Sequence, residues 1–224
     1  MSAKIDRRDA ARAKAAERAA ADRRRRTRRL WIVIASSVAA IAIITAIAVV
    51  TITRPHTNAR PKAATSAPPW PAPTDPAAHA EAAGLTVAQM EGAALHTHQH
   101  LTVSVDGNPV TVPANLGVDP AAGSMSPLHT HDTSGIVHVE SPKVATFTLG
   151  QLFTEWGVAL GTDRVSGYVD GQNGRHVAVF VDGKRTTTAF PKVHLQDQQD
   201  IAVVITRGST EPAAPAPFDW TDAE

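Results

Sequence analysis

The feature that most restricts this chain is a run of 24 residues without a charge, residues 30–53, LWIVIASSVAAIAIITAIAVVTIT. As a helix rising 1.5 Å per residue it is about 36 Å long, enough for a hydrocarbon core of about 30 Å. It is expected to be a single transmembrane helix. Six arginines (Arg23–Arg26, Arg28, Arg29) precede it and only Arg54 follows directly. The bias of basic residues toward the cytoplasmic side then puts the N-terminus in the cytoplasm and the rest outside the plasma membrane. Trp31 falls where an interfacial aromatic belongs. Ala46-Ile47-Ala48 has the form of a signal-peptidase box, but the apolar run is longer than the 7–15 residues of a secretory signal, so a retained anchor is expected.

The charge is divided in the same way. Formal net charge is +1 over 224 residues. Residues 1–29 carry 12 basic and 4 acidic side chains, and the remainder is net −7. The arm, rich in Ala and Arg, has no apolar stripe and is expected to be a disordered, basic cytoplasmic tail. The acidic bulk argues against nucleic acid as a partner. Cysteine is absent, which excludes disulfides, thiolate catalysis and Cys-ligated metal.

Beyond the span, residues 54–80 hold seven of the 16 prolines and are expected to be a disordered Pro/Ala-rich linker. Residues 209–224 are acidic and Pro-containing, and are expected to be a disordered tail unless Phe218 and Trp220 dock. The folded unit is therefore placed at 81–208. Leu101, Val103 and Val105 alternate with Thr102 and Ser104, the period of a half-buried strand. Asp106-Gly107-Asn108 supplies a turn. Residues 136–140, 175–181 and 201–205 are further strands, the last apolar enough to be central. Thr148-Leu149-Gly150-Gln151 has capping-box form, and Leu149, Leu152, Phe153 and Trp156 then share one helix face, with Gly157 suited to the C′ position. A second helix over 86–94 is weakly signalled. Together these give an α+β class: a transmembrane helix followed by a small, mostly-β ectodomain with one main helix. A β-grasp-like sheet is expected first, and an immunoglobulin-like or cupin-like sandwich next.

Histidine is the outlier, with ten residues, eight of them between His96 and His194. His96-Thr97-His98-Gln99-His100 leads into Leu101. In an extended chain alternate residues share a face, so His96, His98 and His100 project together, opposite the Leu101/Val103/Val105 face. His129 and His131 alternate likewise, and His138 returns on the next strand with Glu140 in phase. Imidazole is neutral near pH 7 and a common metal ligand. Six histidines are therefore candidate ligands: His96, His98, His100, His129, His131 and His138. Asp132 and Glu140 are candidates to hold their second ring nitrogens. A nitrogen-rich set suits Zn(II) or Cu(II), and also Ni(II) or Fe(II), better than Cu(I). His176 and His194 stand alone and are expected to be ordinary strand or loop residues.

The segments HTHQHLTVSVDGNPVTVPANLGV, SPLHTHDTSGIVHVESP, FTLGQLFTEWG, VFVDGK and DIAVVI resemble a family of bacterial and archaeal secreted or membrane-anchored domains. These domains carry an HxHxHL strand and an LHTHDxxGI[IV]HVE block. The resemblance spans nearly all of 92–206. It implies the same domain limits and the same six histidines, and it implies no reaction. Where some relatives have a cysteine shortly before the LHTHD block, this chain has Gly123-Ser124-Met125-Ser126-Pro127.

A cupin would need a Glu three or four residues after its HxH. Here Glu140 is separated from His131 by eight residues and no second cupin motif follows. No nucleophile elbow, phosphate loop or dinucleotide fingerprint is present either. The expectation is therefore a metal-binding or sensing module rather than an enzyme. A metal-dependent enzyme using the same histidines, and a metal-free interaction domain with a structural or pH-responsive cluster, are the alternatives.

Overall fold

The computed structural model describes residues 60–222. The basic arm and the apolar run at 30–53 lie outside them. Among the described residues no helix is long and apolar enough to cross a membrane.

The domain is small and mostly β, of α+β class with two helices. In chain order the elements are α1 (Pro76–Ala82), β1 (Leu95–Val105), β2 (Asn108–Val110), β3 (Val118–Asp119), β4 (Ser124–Met125), β5 (Leu128–His129), β6 (Ile136–Ser141), α2 (Leu149–Glu155), β7 (Arg164–Val165), β8 (Tyr168–Val169), β9 (Arg175–Val181), β10 (Lys184–Arg185) and β11 (Gln199–Arg207). The main sheet runs β10-β9-β11-β1-β6-β5, with β2 paired to β1. β1 and β11 are parallel, and every other neighbour is antiparallel.

Period-2 alternation divides the sheet cleanly. Leu101, Val103, Val137, Val139, Val177, Val179, Ile201 and Val203 face one way into a single core shared with Leu149, Leu152, Phe153 and Trp156 of the α2 region. The opposite face carries Ala178, Phe180 and Ala202 on one half, with Val204 and Ala214 against them. Its other half holds the histidines. Full burial of such an aliphatic or aromatic side chain contributes about 1.5–3 kcal/mol.

Helix α2 forms where its capping box requires. The Thr148 hydroxyl accepts from the Gln151 N–H at 3.3 Å, and the Gln151 amide oxygen accepts from the Thr148 N–H at 3.0 Å. Gly157 at φ +70° closes the end. The weakly signalled helix over 86–94 does not form. That stretch is irregular instead, with a single bridge at Ala88, whose backbone exchanges two hydrogen bonds with that of Met125. The second helix lies earlier, at α1, where Pro76 occupies the first turn and Asp75 accepts from the Ala78 N–H at 3.0 Å.

Helix α1 therefore falls within the stretch expected to be a disordered linker, and described residues of that stretch pack on the domain. Ala64 bridges to Val158, and the Ser166 hydroxyl donates to the Ser66 carbonyl at 2.6 Å. Trp70 is buried and meets Trp156 edge-on at 5.8 Å between ring centroids. Proline density suggested a spacer, but it equally suits an extended strap that needs no strand partners of its own, and one tryptophan anchors it. His79 also holds this stretch: its Nδ1–H donates to the Thr154 carbonyl at 2.9 Å and ties α1 to α2. The C-terminal segment also lies on the domain, with the Phe218 N–H donating to Asp200 at 3.1 Å.

Glu155 was not singled out by the helical stripe. It is buried within α2, and neither carboxyl oxygen has a hydrogen-bond partner. Burial pushes its pKa up to about 8, against the smaller opposing effect of the nearby Ser126 side chain. The folded state thus keeps a proton that the unfolded chain gives up near pH 4.5, so this group lowers stability as pH rises from about 4.5 to 8. Glu155→Gln is expected to raise the melting temperature by several degrees at pH 8 and by little at pH 4.5, measured by calorimetry across that range. Trp156 is fully buried and its indole N–H donates to the Trp70 carbonyl at 2.8 Å. Trp156→Ala is expected to cost about 3–5 kcal/mol in urea unfolding. A loss below about 1 kcal/mol would show that the side chain contributes little to the core.

Candidate metal centre

The histidines are brought together by strand register. His98 on β1 pairs with His138 on β6, and His138 pairs in turn with His129 on β5. One row of three imidazoles therefore crosses three adjacent strands. The next row pairs His96 with Glu140. Directly opposite side chains on neighbouring strands have Cβ atoms about 4.5–5.5 Å apart, so these groups touch without loop rearrangement. His131, just past β5, folds over the row.

The rings are correspondingly close. Centroid separations are 4.6 Å for His98–His138, 5.4 Å for His129–His138, 4.5 Å for His131–His138 and 4.9 Å for both His96–His98 and His129–His131. Ligand atoms within 4.8 Å of one another form two sets: His129, His131, His138 and Glu140, and His96, His98 and His138. Exposure is graded. His129 is fully buried, Glu140 is buried, His138 is half-buried, and His131 and His96 are exposed.

The inner histidines are arranged so that they could hold a metal ion. His129 Nδ1 is 3.0 Å from the Ser126 carbonyl, to which only a protonated nitrogen can donate. That fixes the tautomer and leaves the Nε2 lone pair, buried and without a hydrogen-bond partner. His138 Nδ1 is also buried without a hydrogen bond, 3.5 Å from Glu140 Oε1. Desolvation takes the His129 pKa down to about 4. Desolvation, with the neighbouring His131, His129 and His98, takes His138 down to about 3. His98 is lowered by burial and by His96. Imidazoles that stay neutral at pH 7 can bind a cation. Glu140 is pushed up by burial and by Glu91, against a smaller opposing effect of His96, whose Nε2 is 3.2 Å from Oε1.

Two expected residues are placed elsewhere. His100 lies on the same face but one row on, where Asp200 rather than Glu140 is its neighbour. Its Nδ1 is 2.9 Å from Asp200 Oδ1, and the Phe218 ring stacks on it at 3.8 Å. Asp132 is exposed and accepts from the Ser134 N–H at 2.8 Å, which with the Ser134 side chain holds its carboxyl below the usual range. It shapes the turn into β6 and hydrogen-bonds to no imidazole. His176 and His194 stand apart from the cluster: His176 Nε2 is 3.0 Å from the Gly208 carbonyl, and His194 bridges to Thr148.

Sequence reasoning missed the Ser126 carbonyl, a backbone group with no sequence signal, and Glu91, which lay in the weakly signalled helix. It also missed Asp197, which accepts from the His98 N–H at 3.1 Å. Beside the cluster lies a cavity of about 450 Å³, lined among others by Met90, Glu91, Met125, Ser126, Glu140 and Phe147. Both methionines other than Met1 border it.

No family model matches the chain, no curated protein matches it, and no solved structure matches it.

The depressed histidines have a sign that can be checked. Unfolded histidines take up protons near pH 6.5, whereas native His129 and His138 refuse them until about pH 4 and 3. The metal-free domain therefore holds their contribution above pH 6.5 and loses it progressively as pH falls below that value, at up to roughly 1.4 kcal/mol per pH unit for each proton. Glu155 acts in the opposite sense, so urea midpoints are best compared in the Glu155→Gln background. A flat profile between pH 6.5 and 4.5 there would contradict the burial of two neutral imidazoles.

Proposed function

We propose that this protein is a membrane-anchored, extracytoplasmic metal-binding or sensing module that takes a divalent transition ion through its clustered histidines. The observation that carries the reading is the Nε2 lone pair of His129. It is buried, its tautomer is set by the Ser126 carbonyl, and no protein group hydrogen-bonds to it. A purely structural histidine at that depth would be satisfied on both nitrogens. His131, His138 and Glu140 supply the remaining donors, three nitrogens and a carboxylate in all. This donor set fits Zn(II) or Cu(II). The anchoring and the outward orientation rest on the arginines before the uncharged run.

The frame that presents the cluster is β-grasp-like. Supporting this, β1 and β11 form a parallel central pair, β6 flanks β1, the β9–β10 hairpin flanks β11, and α2 lies between the two halves in sequence. A metal-dependent enzyme is the second reading, favoured by the cavity that shares Glu140 with the cluster. In that case Glu140, raised by burial and by Glu91, would serve as a proton acceptor beside the ion.

Titration of the full chain in detergent with Zn(II) at pH 7.5 is expected to give saturable binding that weakens below about pH 6, as protons compete for the imidazoles. His129→Ala/His131→Ala removes the tightest binding, with circular dichroism confirming the fold, and His176→Ala leaves it unchanged. Absence of uptake by the wild-type chain would leave the cluster as a metal-free structural or pH-responsive group.

A further inference from the structure

Six donors are more than one four-coordinate ion can take, and they do not converge on one point. The outer pair has a telling spacing. His96 Nε2 and His98 Nε2 are 3.3 Å apart. Two nitrogens bound tetrahedrally to one ion at about 2.0–2.1 Å stand about 3.3–3.4 Å from each other. His96 Nε2 is also 3.2 Å from Glu140 Oε1, and that same oxygen is 3.5 Å from His138 Nδ1 of the inner set. Glu140 thus stands between the two groups of imidazoles, on the strand between β1 and β5.

We propose that the centre is dinuclear. The inner ion is held by His129, His131 and His138, the outer ion by His96 and His98, and the Glu140 carboxylate bridges the two. This rests on the metal-binding reading above and deepens it. A carboxylate can give one oxygen to each of two ions, as in two-metal sites with ions about 3.5–4 Å apart. The two ions see different surroundings. The outer one sits beside exposed His96, open to exchange with solvent, and the inner one beside fully buried His129. The inner site fills first and the outer one fills second and empties first, and Glu140 makes the affinity of each site depend on occupancy of the other.

The test uses Cu(II) as the probe on the full chain in detergent. Wild type is expected to take up about two equivalents, and the loaded protein to give an exchange-coupled paramagnetic resonance spectrum integrating to fewer spins than bound copper. His96→Ala/His98→Ala is expected to bind about one equivalent with the full signal of an isolated ion. His96→Asn alone, at an exposed position that does not carry the fold, is expected to weaken the second equivalent and spare the first. One equivalent in wild type, unchanged in both variants, would overturn the second site while leaving metal binding standing. Two equivalents with fully additive spins would overturn the bridge. No uptake at all would remove both proposals.

Discussion

The antiparallel pairing of β6 against β1 is the constraint from which the site follows. It sets His98 opposite His138 and His96 opposite Glu140. The alternate residues in the same register, Val137 and Val139, point into the core. Because side chains alternate strictly, a slip of one residue would carry valines to the imidazole face and histidines into the apolar layer. The cost of that exchange, several buried hydrocarbon side chains lost at once, holds the register far more firmly than any contact among the imidazoles. The geometry of the histidine cluster is thus a by-product of core packing.

Most of the central frame was legible in the sequence. The β9 strand coincides with residues 175–181, and β11 contains the apolar run 201–205 that proved central, between β9 and β1. The Thr148 capping box and the stripe ending at Trp156 were visible because caps and periodicity are local. What was not legible depended on distant partners. The segment around Trp70 has the composition of a spacer, and only its contact with Trp156, 86 residues on, makes it structural. Helix α1 is seven residues long and has no apolar stripe of its own.

The same distinction applies to the candidate site. Alternation placed His96, His98 and His100 on one face, and they do share it. It could not say that the row carrying His100 meets Asp200 from β11, because strand order is not a property of β1 alone. Five of the six histidines fall into two adjoining sets that share His138, and the sixth is taken up by a carboxylate 100 residues away. Asp132 looked suited to hold an imidazole because it follows His131 directly, but its carboxylate is committed to the backbone of its own turn. Short polar side chains next to a turn serve it first.

The Phe218 ring over His100 has a wider meaning for how this face is shared. Ala214 packs against the half of the sheet that carries Ala178, Phe180 and Ala202, and Phe218 stacks on His100, one row from the histidine cluster. Residues 214–218 therefore lie along the border between a covered half of this face and the half where the imidazoles of His96 and His131 are exposed. Substitutions at Ala214 or Phe218 would bear on that border. Changes confined to that segment would widen or narrow the exposed histidine patch without altering any of its imidazoles.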